Sequence, residues 1–210
     1  MPMTARWSKA QVLMILLMWA VMMTAMMLPS AIPMIATYAR LVRDAKDRQF
    51  GSVAVFAGGY LMIWGLFAVA ASTAQWVAHD RAVVTAMGAF LDPRIGAVAL
   101  IGAGVYQLTP VKQSMLRTCR TPLGFLASEW RDGRRGALWM GVKHGKVCLG
   151  CCWALMVLLF VLGIMNLLWV FVLASFVALE KLTRSGFVPR LGAAVLIIAG
   201  VTALVVSAVD

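Results

Sequence analysis

The sequence predicts an all-α protein, a polytopic membrane helix bundle forming a single integral domain over residues 1–210, and three observations carry that reading. First, 62% of the 210 residues are hydrophobic and the mean hydropathy is +0.89, well above the near-half apolar content of a soluble domain. Second, five stretches contain no Asp, Glu, Lys or Arg: 10–39, 49–79, 95–111, 147–179 and 191–209, together 130 residues. A spanning helix needs ~20 apolar residues. Third, these runs are apolar on every face, whereas the strands of a membrane barrel alternate polar and apolar over ~10 residues. Backbone in hydrocarbon must satisfy its own hydrogen bonds, which leaves helices.

The first run, entered from Arg6 and Lys9, is too long for the apolar core of a signal peptide and lacks a small-residue cleavage site, so it reads as a retained helix. Pro29 and Pro33 each remove a backbone donor, which predicts a kink or opening in its last turns. A short charged linker, 40–48, leads to a second helix over about 52–76. Ala82 to Leu91 is apolar but too short to cross, which suggests an interfacial or re-entrant segment. The third helix, from Ile95 to about Leu108, carries Gly96, Gly102 and Gly104, suited to close helix contacts. Thr109-Pro110 ends it, and 112–146 reads as a polar loop.

The run 147–179 would be about 50 Å long as one helix, against a hydrocarbon core of ~30 Å. It is therefore expected to be two helices, turning in a short hairpin near Gly163 to Asn166. Lys and Arg counts agree: six spans place 15 of these residues on one side and 4 on the other, whereas five spans give 12 and 7. The positive-inside rule thus favours about six transmembrane helices with both termini outside the cytoplasm. The net charge of +11 is accounted for by this asymmetry, so the basic balance marks orientation in a lipid bilayer rather than nucleic-acid binding.

Chemistry concentrates in one segment. His144, Cys148, Cys151 and Cys152 fall at helical spacings of three and four residues, so three thiols and an imidazole share a face, with Met156 one turn further. Thiolate and thioether sulfur suit Cu(I), and thiolate with imidazole also suits Zn(II). Lys143 and Lys146 lie beside them in sequence, and a nearby cation favours the thiolate. Buried cysteine is also a small inert hydrophobe, but three within five residues point to metal or redox chemistry. His144 alone is either a ligand or an interfacial polar residue.

The first helix supplies a second sulfur cluster, Met14, Met18, Met22, Met23, Met26 and Met27, with Met34 beyond the prolines. It reads either as a thioether path for Cu(I) or as flexible packing. Cys119, in the 112–146 stretch, is either a fourth sulfur ligand or a separate free thiol. Tyr106, Gln107 and Asn166 read as helix-end hydrogen bonders, and Glu180-Lys181 as an interfacial pair. No phosphate loop, dinucleotide fingerprint, H-E-x-x-H or serine elbow occurs, so nothing singles out an enzyme.

Residues Trp19 to Pro29, Tyr106 to Lys112, Cys119 to Pro122, His144 to Trp153, Gly163 to Asn166 and Glu180-Lys181 resemble a family of bacterial integral membrane proteins of unassigned function. That family is described as predicted metal-binding, and some of its members are labelled copper chaperones. The most specific block is Cys148-Leu149-Gly150-Cys151-Cys152-Trp153. The resemblance implies a metal-associated membrane protein.

The leading expectation is a soft-metal binder, Cu(I) first and zinc second, that handles the ion or delivers it to a partner metalloprotein. Cys148, Cys151 and Cys152 would be the ligands, His144 an auxiliary, and Met22, Met23, Met26 and Met27 a relay. The alternatives are a membrane thiol-disulfide oxidoreductase, on the C-x-x-C spacing of Cys148 and Cys151, and a non-catalytic subunit or assembly factor of a larger membrane complex. Placement of the thiols toward the reducing cytoplasm counts against the oxidoreductase.

Overall fold

The structure, a computed structural model, describes residues 8–44, 50–81, 83–84, 91–164, 166–183 and 185–209. They form helices α1 (Lys9–Asp44), α2 (Phe50–Asp80), α3 (Pro93–Leu108), α4 (Pro110–Arg120), α5 (Pro122–Glu129), α6 (Gly133–Val157), α7 (Leu159–Leu162), α8 (Leu167–Leu182) and α9 (Phe187–Val209). α1 runs unbroken through Pro29 and Pro33, where the sequence predicts a kink or opening. Hydroxyl groups cover its carbonyls near the prolines, as is common in membrane helices. Ser30 Oγ donates to the Met27 oxygen (2.8 Å) and Thr37 Oγ1 to the Pro33 oxygen (2.7 Å).

The stretch 112–146 is not a loop. It holds α4, α5 and the first half of α6. Its polarity masks two start signals, because Thr109-Pro110 and Thr121-Pro122 each place a proline at the first helical turn, where its missing N–H costs nothing. Thr109 Oγ1 also accepts from the Lys112 amide (3.3 Å), so the residue that ends α3 begins α4. The turn at 163–166 is present: Gly163 adopts φ +88° and the Asn166 side chain caps α8 by accepting from the Leu168 amide (3.1 Å). Most of the expected segment Ala82 to Leu91 lies outside the described residues.

Four of the described helical segments are long and apolar enough to cross a bilayer: Lys9–Arg43, Gly51–Asp80, Gly133–Leu162 and Phe187–Val209. The α3–α4 pair, bent by 63°, makes a fifth if it is one span. The sixth expected span falls to α8, whose 16 residues reach only about 24 Å at ~1.5 Å each, short of a ~30 Å core. The count is compatible with a multi-pass membrane protein.

Two helix pairs come into close backbone contact. Across α2 and α6, a Cβ on Gly59 would stand 2.5 Å from the Leu138 oxygen, and one on Gly141 would strike the Phe56 oxygen. Gly145 likewise lies against Ile63 and the Tyr60 oxygen. Across α3 and α9, Gly104 and Gly200 play the same part against Ala193 and Ala97. Small residues permit this approach, and dispersion then holds the helices where lipid supplies no hydrophobic drive. The outer faces carry exposed Leu, Val and Ile, while Ser52, Gln75, Gln107, Lys112, His144, Glu180 and Lys181 are buried. Such an inside-out distribution suits an apolar solvent.

Candidate metal centre

The α2–α6 crossing brings the α6 sulfur stripe into the core. Cys148, Cys151 and Cys152 are all buried, at 0–1% exposure, and share one apolar cluster with Met23, Met26 and Met27 of α1 and with Met156. Met18 and Met22 pack on its edge. Met14, at 64% exposed, faces outward, and Met34 belongs to a separate cluster with Tyr38 and Met140. The Met row is thus divided by the crossing, and only its inner part adjoins the thiols.

Cys119 joins them from α4. Its Sγ lies 3.9 Å from Cys151 Sγ, and Cys151 Sγ lies 3.2 Å from Cys152 Sγ. Gly150 makes this possible, because the Met115 sulfur occupies the space a Cβ there would need. Tyr106 secures the same point by donating its hydroxyl to the Gly150 oxygen (2.6 Å). All four cysteines are free thiols. Cys151 Sγ also donates to the Cys148 oxygen (3.1 Å).

Cys148 meets polar groups from two other helices, one of them tied in turn to α1. Lys181 Nζ of α8 donates to Cys148 Sγ (3.0 Å) and to Ser30 Oγ of α1 (2.8 Å). The Tyr60 hydroxyl of α2 stands 3.2 Å from the same sulfur and donates to the Met27 oxygen (3.0 Å). A buried ammonium therefore lies against this sulfur. That cation is Lys181, not the Lys143 and Lys146 the sequence suggested: Lys143 pairs with Glu129 at 2.5 Å and Lys146 is exposed.

Nor do Glu180 and Lys181 form an interfacial pair. They are buried and point apart, with Glu180 bound to Lys112 of α4 at 2.9 Å. Gln107 accepts from Lys112 in the same network. Tyr60, Ser30 and Lys181 are the site residues that sequence reasoning missed. For Lys181 a signal existed, since an ionisable side chain at membrane depth marks function by default.

His144 is one turn before Cys148 but among rings: Tyr60 at 5.5 Å, Phe125 at 5.6 Å and Phe56 at 6.3 Å between centroids. Its Nδ1 is buried without a hydrogen-bond partner. Among the described residues, no three His, Cys, Asp or Glu side chains stand ready to hold one ion. Pairs of sulfurs do approach closely enough. A metal–thiolate bond is about 2.3 Å for zinc, so the 3.9 Å between Cys119 and Cys151 is within the span of two sulfurs on one ion.

The model of the family described as PpoB2, copper chaperone, matches residues 16–205. The chain belongs to the PpoB2 copper chaperone family. The match covers every cysteine, all of α6, and α1 from residue 16 onward. No curated protein and no solved structure matches the chain.

Proposed function

We propose that this protein binds Cu(I) through the buried thiols and delivers it to a partner metalloprotein. One observation carries the reading: Cys119, 32 residues away on another helix, meets Cys151 at 3.9 Å inside a core already holding Cys148 and Cys152. Soft thiolate and thioether donors select Cu(I) over harder ions, and the methionines beside the thiols extend that preference. Cys148, Cys151, Cys152 and Cys119 are the ligands. Lys181 balances the charge of thiolate, and His144, one turn before Cys148 with its Nδ1 unpartnered, is an auxiliary ligand. Met22, Met23, Met26 and Met27 form the relay.

The protein sits in the inner membrane with both termini outside, and its Lys- and Arg-rich side faces the cytoplasm. Burial of the α6 thiols at 0–1% exposure favours an ion over a protein disulfide as the exchange partner, because disulfide exchange needs an accessible sulfur.

The test is the metal content of protein purified in detergent from copper-supplemented cells. The wild type is expected to retain copper, the C148S/C151S/C152S variant to lose it, and C119S to hold it more weakly. Equal copper in wild type and triple variant, at matched elution volume, sinks the proposal. Zinc in place of copper overturns the choice of ion.

A further inference from the structure

A cavity of about 530 Å³ opens at the end of the α3–α4 bend, against the α8–α9 connection. Its walls include Arg117, Arg120 and Gln113 of α4, Arg190 in the first turn of α9, and Leu108 at the end of α3. Three guanidinium groups therefore share one basin, and among the described residues no carboxylate lines it. Arg120 is held by backbone, its Nε donating to the Glu180 oxygen (2.8 Å) and its Nη2 to the Ser185 oxygen (3.3 Å). The Glu180 carboxylate itself is engaged by Lys112. Arg117 and Arg190 form neither of the two ion pairs found among the described residues. Glu180, already paired with Lys112, offsets Arg120 in part, whereas Arg117 and Arg190 add like charge whose repulsion a bound anion would relieve.

We infer that this basin binds the headgroup of an anionic phospholipid. The phosphodiester is the shared chemistry of lipid and free phosphate, and arginine matches it with paired N–H donors. Two features select the lipid. The cavity is far larger than one phosphate, and Leu108 in its wall shares a face of α3 with Val105, while Leu191 and Val195 follow Arg190 on α9; all four are exposed apolar side chains. Acyl chains lie along that wall while the phosphate meets Arg117, Arg120 and Arg190. All three arginines belong to the Lys- and Arg-rich side, the side that faces the anionic leaflet in a positive-inside arrangement. Arg117 and Gln113 lie on one face of α4, and Met115 and Cys119 on another, so neither Arg117 nor Arg190, on α9, is on the face that carries Cys119.

Delipidated, copper-free protein in a neutral detergent is titrated with phosphatidylglycerol, phosphatidylcholine or inorganic phosphate and read by native mass spectrometry. Phosphatidylglycerol is expected to bind saturably, and R117Q/R190Q to weaken it roughly 30-fold, from about 1 kcal/mol for each arginine near an anionic lipid. Arg120 stays in place because it ties down the α8–α9 connection. R190Q alone, at an exposed position, is expected to weaken binding about fivefold and serves if the double variant misfolds. Unchanged affinity in R190Q, an equal loss in the charge-matched R134Q/R135Q, or displacement of the lipid by millimolar phosphate or polyglutamate overturns the inference.

Discussion

Gly58 and Gly59 are neighbours on α2 with opposite prospects. Alanine at either position gains up to about 1 kcal/mol of helix propensity. A Cβ at Gly58 meets nothing within 4 Å, so Gly58→Ala is expected to keep that gain. At Gly59 the new carbon would stand 2.5 Å from the Leu138 oxygen and 3.0 Å from the Val142 nitrogen. Ordinary contact begins at 3.4 Å, so α6 must retreat by about 0.9 Å, and backbone cannot swing aside as a side chain can. Overpacking of this kind costs about 1–3 kcal/mol, which outweighs the propensity gain. Tyr60, the next residue, bridges to Cys148 at 3.2 Å, and a retreat of α6 lengthens that contact past hydrogen-bond range. Gly59→Ala is therefore expected to lower the melting temperature in detergent, at roughly 2–4 °C per kcal/mol, and to speed alkylation of the α6 thiols by N-ethylmaleimide. Gly58→Ala should leave alkylation unchanged and raise the melting temperature slightly. Equal shifts for the two variants, or a Gly59→Ala protein as stable as wild type with unaltered thiol reactivity, would refute the reasoning.

The two ion pairs should rank by burial rather than length. Lys112→Met strands Glu180, where both side chains are 1% exposed, and should cost about 3–5 kcal/mol. Lys143→Met breaks a shorter pair at 2.5 Å, but its side chains are 43% and 24% exposed, so the same thermal assay should register only about 0–1 kcal/mol. At the hairpin, Gly163→Ala puts a side chain on φ +88° and should cost about 1–3 kcal/mol. Gly186→Ala, with open space and no positive φ, should be neutral in parallel melts.

The sulfur stripe on α6 was legible because helical periodicity is local: Cys148, Cys151 and Cys152 share a face whatever surrounds them. The turn at Gly163 to Asn166 was legible because an uncharged run of 33 residues exceeds the hydrocarbon core and contains Gly163 and Asn166 as a place to break. Length alone does not force a turn, since α1 runs 36 residues unbroken. The helices α4 and α5 were not, because their polar residues resemble a loop until Thr109-Pro110 and Thr121-Pro122 are read as starts rather than stops. The division of the Met row was not legible either. Every step-by-four residue from Met14 to Met26 looks alike in one dimension, and only the position of α2 and α6 turns Met26 inward and leaves Met14 outside.

By itself the sequence determined an all-helical membrane class and placed three thiols on one helical face. Both follow from composition and from spacing over a few residues. Only the tertiary structure decided what meets those thiols. Cys119 reaches Cys151 across 32 residues, Lys181 reaches Cys148 across 33, and Lys181 reaches Ser30 across 151. Such partners depend on how closely helices cross. Here that distance is set by Gly59, Gly141 and Gly150, which carry no side chain to hold α2 and α4 away from α6.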